Sequence, residues 1–169
     1  IQSVRLLPEH PKALGAAVEA IHSADMIVLA PGSLYTSIIP NLLVDGIADA
    51  IRESKALKLY VCNVMTQEGE TEGYTVSDHI QALFSHSYPG LFRLCLTNST
   101  PIPEVIALRY AQEGAEPIRH DVEKCRALGV ELIDRPVAAL ENGLVRHNPG
   151  HLAHELMTIY EEYKPKDPA

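Results

Sequence analysis

The feature that most constrains the fold is the alternation of short apolar runs with longer segments of helical periodicity. Runs typical of strands are IQSVRLL (1–7), MIVLA (26–30), LKLYVCNVM (57–65), LFRLCLTN (91–98) and VELIDRPV (130–137). Alternating strands and helices favour parallel strands joined by helical crossovers. We therefore predict a three-layer, doubly wound α/β fold with a mainly parallel, Rossmann-like sheet. Ligands of such folds bind beyond the carboxyl ends of the strands.

The segments between these runs predict the remaining elements. A single helix is expected over residues 41–54, with Gly46 in its interior, and a short strand is expected near residues 116–120. Residues 144–148 are predicted to be extended. Asn148 is expected to cap a last helix that begins at Pro149.

Size and charge limit the classes of function. The chain has 169 residues, of which 46% are hydrophobic, so we predict one domain over residues 1–163 and a flexible tail over 164–169. The net charge of −8 argues against general binding of nucleic acid or anionic membranes. No apolar run has the roughly 20 residues that membrane insertion requires. Three widely spaced cysteines favour reduced thiols and a cytoplasmic protein.

A hydroxyl-rich loop follows the second apolar run. Its sequence, APGSLYTS, contains the candidate ligand-binding residues Gly32, Ser33, Leu34, Tyr35, Thr36 and Ser37. Gly32 permits a close approach of the backbone to a ligand, and Ser37 is a candidate helix cap with Pro40 at the third helical position. The start of that helix would bind an anion through backbone N–H groups. Residues 13–51 contain no Lys or Arg, so the matching cation would come from elsewhere; the alternative is a capping loop without a ligand.

A second polar loop, residues 63–79, follows the next strand. The candidate binding residues there are Asn63, Thr66 and Gln67. The loop is acidic and amide-bearing, which suits a hydroxyl-rich ligand, a base edge or a hydrated divalent ion. Because loops are polar in general, the alternative is an ordinary solvated loop.

Two further candidates lie late in the chain. Arg146 precedes the last helix and is a candidate for the missing cation, and Tyr110 could stack on a base or cover the core. His147, His151 and His154 form a cluster, but without a second ligand motif they predict a metal site only weakly.

Three long motifs occur in order along nearly the whole chain: APGSLYTSIIPNLLVDGIADAI, KLYVCNVMTQEGETEGYTVSDHI and NGLVRH. Together they resemble the bacterial gluconeogenesis factor family, the YvcK-type branch of the CofD-like proteins. The resemblance implies a cytoplasmic protein that binds UDP-sugars, notably UDP-N-acetylglucosamine, and serves cell shape and wall synthesis during gluconeogenic growth. No enzymatic reaction is firmly assigned to this branch. The resemblance also implies that Tyr110 and Arg146 bind the UDP-sugar in a cleft with the two loops. The resemblance is compatible with a homo-oligomer and with protein partners in wall synthesis.

The family opens with a glycine-rich, GGGTG-type strand-loop, which this sequence lacks. The resemblance therefore implies the carboxyl-terminal part of a longer protein. A related branch, 2-phospho-L-lactate transferase, has a Pro-Ser-Asn-Pro-like first loop where this chain has PGSLYTS. The alternative function is such a transferase acting on a nucleotide-activated substrate, with Asp78 and Glu70 holding Mg²⁺. An NAD-type dehydrogenase is a weaker alternative because the sequence has no GxGxxG motif.

Overall fold

The centre of the protein is a parallel sheet of four strands. The computed structural model describes residues 1–164, and its sheet has the order β1-β2-β3-β4. The strands are β1 (Met26–Leu29), β2 (Leu57–Val61), β3 (Leu94–Asn98) and β4 (Glu131–Arg135). In the parallel register, Thr97 lies opposite Asp134, which places polar side chains of β3 and β4 side by side at their carboxyl ends.

Seven α-helices, one π-helical turn and a hairpin surround this sheet within residues 1–164. The helices are α1 (Gly15–Ser23), α2 (Ile39–Leu42), α3 (Ile47–Glu53), α4 (Val76–Ser85), α5 (Glu104–Gln112), α6 (Val122–Ala127) and α7 (Pro149–Tyr163). The π-helical turn spans Leu34–Ile38, and the antiparallel hairpin pairs β5 (Ala138–Glu141) with β6 (Leu144–His147).

Each face of the sheet is covered by a different set of helices. Leu59 and Val61 of β2 pack in a cluster with Ile159 of α7, whereas Tyr60 packs in the other cluster with Leu83 of α4. Successive strand residues point to opposite faces, which explains why neighbouring residues join different clusters. Each fully buried aliphatic side chain contributes roughly 1.5–3 kcal/mol through the hydrophobic effect. The predicted three-layer α/β fold with a mainly parallel sheet is confirmed. The four strands lie side by side in chain order, so among the described residues the sheet has no point at which the strand order reverses.

Two predicted strands are wrong. Residues 1–7 form no strand within the described part of the chain, and Leu7 is 79% exposed. An alternation of apolar and polar residues does not stabilise a strand unless a partner strand pairs with it. No strand of residues 8–164 pairs with this segment. The segment near residues 116–120 forms only isolated bridges, from Pro117 to Met65 and from Arg119 to Thr75. Those bridges tie it to the second polar loop.

The predicted single helix over 41–54 is also wrong. α2 ends at Leu42 and α3 begins at Ile47, with Gly46 between them at φ 96°. This left-handed conformation suits glycine because it has no Cβ atom. Ser37 does not cap a helix: it lies inside the π-helical turn, whose preceding residue is Ser33.

The starts of α4 and α7 follow local sequence rules. Thr75 and Asp78 form a capping box at the start of α4. The predicted cap of α7 is confirmed, because the Asn148 side chain accepts a hydrogen bond from the His151 N–H at 3.0 Å. The predicted extended segment near 144–148 is β6. Its turn, Asn142-Gly143, has φ values of 50° and 75°, the positive pair that a tight hairpin turn needs.

The predicted tail, residues 164–169, lies outside the described residues apart from Lys164. The single domain over residues 1–163 stays a prediction.

Candidate functional site

A cavity at the carboxyl ends of β1 and β2 lies where sites of parallel sheets are expected. Its volume is about 490 Å³. The lining residues are Pro31, Gly32, Ser33, Asn63, Val64, Met65, Thr66, Gln67, Tyr110, Val145, Arg146 and His147. We call this space the first chamber.

The structure brings together most of the sequence-predicted site residues. Those that line the first chamber are Gly32, Ser33, Asn63, Thr66, Gln67, Tyr110 and Arg146. Four others do not line it: Leu34, Tyr35, Thr36 and Ser37. In the first loop the chamber lining ends at Ser33, and these four residues belong to the π-helical turn that follows it.

Asn63 joins the two predicted loops. Its Nδ2 donates to the Gly32 carbonyl at 2.8 Å, and its Oδ1 accepts from the Gly32 N–H at 3.2 Å. Both backbone groups of Gly32 are therefore bonded within the protein. Asn63 acts as a clamp that sets the position of the first loop, which the sequence alone does not reveal.

Hydrogen bonds to other parts of the chain hold the second polar loop in place. The Thr66 N–H donates to the Glu116 carbonyl and the Thr66 hydroxyl accepts from the Glu116 N–H, both at 2.8 Å. Gln67 Nε2 donates to Ser33 Oγ at 3.1 Å. Gln67 Oε1 is buried and has no hydrogen-bond partner among residues 1–164, so it keeps an acceptor for a ligand.

Glu70 accepts from backbone N–H groups of the first loop that lie just before the helix start predicted at Ser37. Its Oε1 accepts from the N–H groups of Tyr35 at 2.9 Å and Thr36 at 3.1 Å, at the start of the π-helical turn. A carboxylate is favoured there because the first N–H groups of a helical turn lack internal partners. The anion at this helix start is thus a side chain of the protein itself, a partner that sequence analysis missed.

The residues outside the chamber have structural roles. Leu34 is fully buried, and the buried Tyr35 places its hydroxyl 2.8 Å from that of Tyr74. Burial, reinforced by the bond to Tyr74, raises the pKa of Tyr35 well above its usual range. This phenol therefore stays neutral and links the first loop to the second.

Tyr110 holds the hairpin in place. Its hydroxyl accepts from the Val145 N–H at 2.9 Å in a buried position, and only 9% of Tyr110 is exposed. The Arg109 guanidinium lies 5.9 Å from the centre of the ring. Tyr110 thus positions β6, and with it the neighbouring Arg146. Its predicted stacking on a base stays a prediction.

Arg146 is the single Arg or Lys among the described residues that line the first chamber. Its side chain is exposed, and Nη1 donates to the Val145 carbonyl at 3.1 Å. No carboxylate of residues 1–164 lies within ion-pair distance of it. The guanidinium therefore has donors for an anionic group.

His147 lies beside Arg146 in the chamber wall. Its Nε2 is buried and has no partner among residues 1–164. Burial lowers the pKa of His147, so the ring is neutral at pH 7 and offers hydrogen bonding rather than charge. The sequence suggested His147 only as part of a weak metal motif.

A second cavity of about 330 Å³ adjoins the first and shares Asn63 and Val64 with it. We call it the second chamber. Its other lining residues are Asn98, Thr100, Ile102, Pro117, Ile118 and His120. The sequence predicted a site after β3, but it did not single out these side chains because Asn98 and His120 are 22 residues apart and meet only in the fold.

The described residues include no group of three or more His, Cys, Asp or Glu side chains that could hold a metal ion. The two carboxylates considered for Mg²⁺ have other partners: Asp78 accepts from Thr75, and Glu70 accepts from the π-helical turn. They do not fit a shared Mg²⁺ site. None of the helices within residues 1–164 combines the length and apolarity needed to cross a bilayer.

Comparison with known proteins identifies the family and supports the fold. The family model described as 2-phospho-L-lactate transferase CofD matches residues 1–138. The chain belongs to the CofD family. A crystal structure of a Bacillus halodurans protein superposes with a TM-score of 0.89 at 45% identity, covering 93% of this chain and 50% of that one.

The most similar relatives include proteins named gluconeogenesis factor. The one from Halalkalibacterium halodurans is 45% identical over 93% of this chain and 49% of its own length. The one from Bacillus subtilis is 41% identical over 96% of this chain and 51% of its own length. The chain thus spans about half the length of these relatives.

Proposed function

We propose that this chain forms a UDP-sugar-binding cleft of a CofD-like regulatory protein, with UDP-N-acetylglucosamine as the ligand. The cleft comprises the first chamber, with Arg146 at the diphosphate. Through this ligand the protein would act in the cytoplasm on cell shape and wall synthesis during gluconeogenic growth.

The observation that carries the proposal is the isolated cation in a polar chamber. Arg146 has no carboxylate partner among residues 1–164, whereas the other lining groups are neutral hydrogen-bonding or apolar groups. A diphosphate accepts charge-assisted hydrogen bonds from a guanidinium, and the neutral groups suit the base and sugar hydroxyls. The similarity to proteins named gluconeogenesis factor supports a regulatory role.

Isothermal titration of the full-length protein with UDP-N-acetylglucosamine tests the proposal. We expect Arg146→Ala to weaken binding more than tenfold, because a hydrogen bond to a charged group contributes about 1.5–3 kcal/mol. The matched control is Arg126→Ala: Arg126 is exposed on α6 and forms an ion pair with Glu123, far from the chamber lining in sequence. This control should leave the affinity unchanged.

Two results would count against the proposal. Absence of both binding heat and thermal stabilisation with the wild-type protein would exclude the ligand. Equal affinities of wild type and Arg146→Ala would exclude the role of Arg146, even if the ligand binds.

A further inference from the structure

The second chamber has the chemistry of a site for an uncharged group. Its volume of about 330 Å³ corresponds to the space of about ten water molecules, far more than one bound ion needs. No Lys or Arg is among its described lining residues. Val64, Ile102 and Ile118 provide an apolar wall, while Asn98 and His120 provide polar groups.

A chain of hydrogen bonds fixes the orientation of His120. Its Nδ1 lies 3.1 Å from Asp134 Oδ1, and the same oxygen accepts a bond from the Thr97 hydroxyl. A carboxylate can only accept, so Nδ1 of His120 carries the hydrogen. In the neutral ring Nε2 is then an acceptor.

Asn98 provides the complementary donor. Its Oδ1 accepts from the N–H groups of Thr100 at 3.1 Å and Ala138 at 3.0 Å, and its Nδ2 donates to the Thr100 carbonyl at 2.9 Å. These bonds hold the amide rigidly and leave one of its two hydrogens available. A hydroxyl group both donates and accepts, so it matches the pair formed by His120 and Asn98.

We propose that the second chamber binds the neutral, hydroxyl-bearing ring of a ligand whose anionic part lies at Arg146. His120 accepts a hydroxyl hydrogen bond, and Asp134 positions its ring. Asn63 and Val64 line both chambers, so the two cavities are adjacent, and the proposed ligand extends from one into the other. This inference rests on the proposed function and assigns the sugar to a defined part of the cleft.

The test separates the sugar from the nucleotide. Affinities of the full-length protein for UDP-N-acetylglucosamine and for UDP are measured with wild type and His120→Asn. Asparagine keeps a donor for Asp134 but lacks the Nε2 acceptor. We expect the ratio of the two affinities to fall about fivefold, the effect of one neutral hydrogen bond, with UDP binding unchanged within twofold.

Two controls isolate the role of Nε2. His120→Gln places an amide near the former Nε2 position and should restore part of the ratio. His154→Asn, on the exposed face of α7, should change neither affinity. Melting temperatures show whether each variant remains folded. If His120→Asn is unfolded, the His120 ring NMR signal of the wild-type protein is followed during titration with UDP-N-acetylglucosamine and with UDP instead, and a signal that responds equally to both ligands or to neither overturns the site.

An equal loss of UDP and UDP-sugar affinity, or no loss of either, overturns the sugar site while leaving the proposed function intact. If wild type binds neither ligand, the proposed function fails and the chamber is tested with free N-acetylglucosamine. The probe is then the histidine ring NMR signal assigned by its loss in a His120 variant. A concentration-dependent shift of that signal supports the site, and an unmoved signal overturns it.

Discussion

Replacing Glu70 by glutamine tests whether the protein supplies its own anion to the π-helical turn. The Glu70 carboxylate accepts from the N–H groups of Tyr35 and Thr36 at 2.9 and 3.1 Å. Glutamine has nearly the same shape and keeps one oxygen acceptor, but it has no charge. Alanine removes the acceptor altogether. The two substitutions therefore separate the charge from the hydrogen bonds.

The expected magnitudes follow from the two bonds. Hydrogen bonds to charged groups contribute about 1.5–3 kcal/mol each, and neutral ones about 0.5–1.5 kcal/mol. Glu70 is only half-buried and the Thr36 bond is exposed, so solvent reduces both values. We expect the free energy of unfolding to fall by about 1–2 kcal/mol for Glu70→Gln and about 2–3 kcal/mol for Glu70→Ala.

Urea unfolding followed by circular dichroism measures the global effect, and amide hydrogen exchange at Tyr35 and Thr36 measures the local one. If opening is local, exchange at these amides should rise about tenfold for each 1.4 kcal/mol lost. Glu68→Gln is the matched control, because Glu68 is an exposed residue of the same loop with the same charge. Equal effects of Glu70→Gln and Glu68→Gln on stability and on these two amides would refute the reasoning.

Three further predictions concern the scaffold. Gly46→Ala should lower the free energy of unfolding by about 1–2 kcal/mol because φ is 96°, whereas Gly15→Ala at the exposed start of α1 should not lower it; thermal melts compare them. Tyr110→Phe leaves the buried Val145 N–H without its acceptor and should cost about 1–3 kcal/mol in urea unfolding; a loss below 0.5 kcal/mol would contradict this role. Burial lowers the pKa of His79 in the folded protein below its usual value near 6.5. As the pH falls below 6.5, His79 is therefore protonated in the unfolded chain before it is protonated in the folded protein. The free energy of unfolding should then fall by up to about 1.4 kcal/mol per pH unit, and His79→Asn should reduce that slope; an unchanged slope would exclude His79 as its source.

Local sequence rules predicted those features whose cause is local. The cap of α7 requires only a side chain within three residues of the helix start, so Asn148 was predictable. Short, largely apolar runs predicted the four strands of the sheet. The same rules were wrong for residues 1–7 because alternation does not show whether a partner strand is present.

The candidate site was predictable in its location but only partly in its contacts. The two loops at the carboxyl ends of β1 and β2 follow from the parallel topology, and Asn63, Gln67 and Arg146 line one chamber as expected. The role of Glu70 was not predictable, because it depends on a contact across 35 residues. The same holds for His120 and Asp134, which meet only when β4 pairs with β3.

The sequence by itself determined the α/β class, the strands of the parallel sheet, the two hydroxyl-rich and amide-rich loops, and membership of the CofD-like proteins through ordered motifs. These properties depend on periodicity and on residues close together in the chain. The tertiary structure alone decided which polar groups remain available to a ligand. The N–H groups of Gly32, Tyr35 and Thr36 are bonded to Asn63 and Glu70. Arg146 keeps donors without a carboxylate partner in the described chain. A polar group can bind a ligand only if no long-range hydrogen bond within the protein already occupies it. Those hydrogen bonds depend on the fold and cannot be read from the sequence.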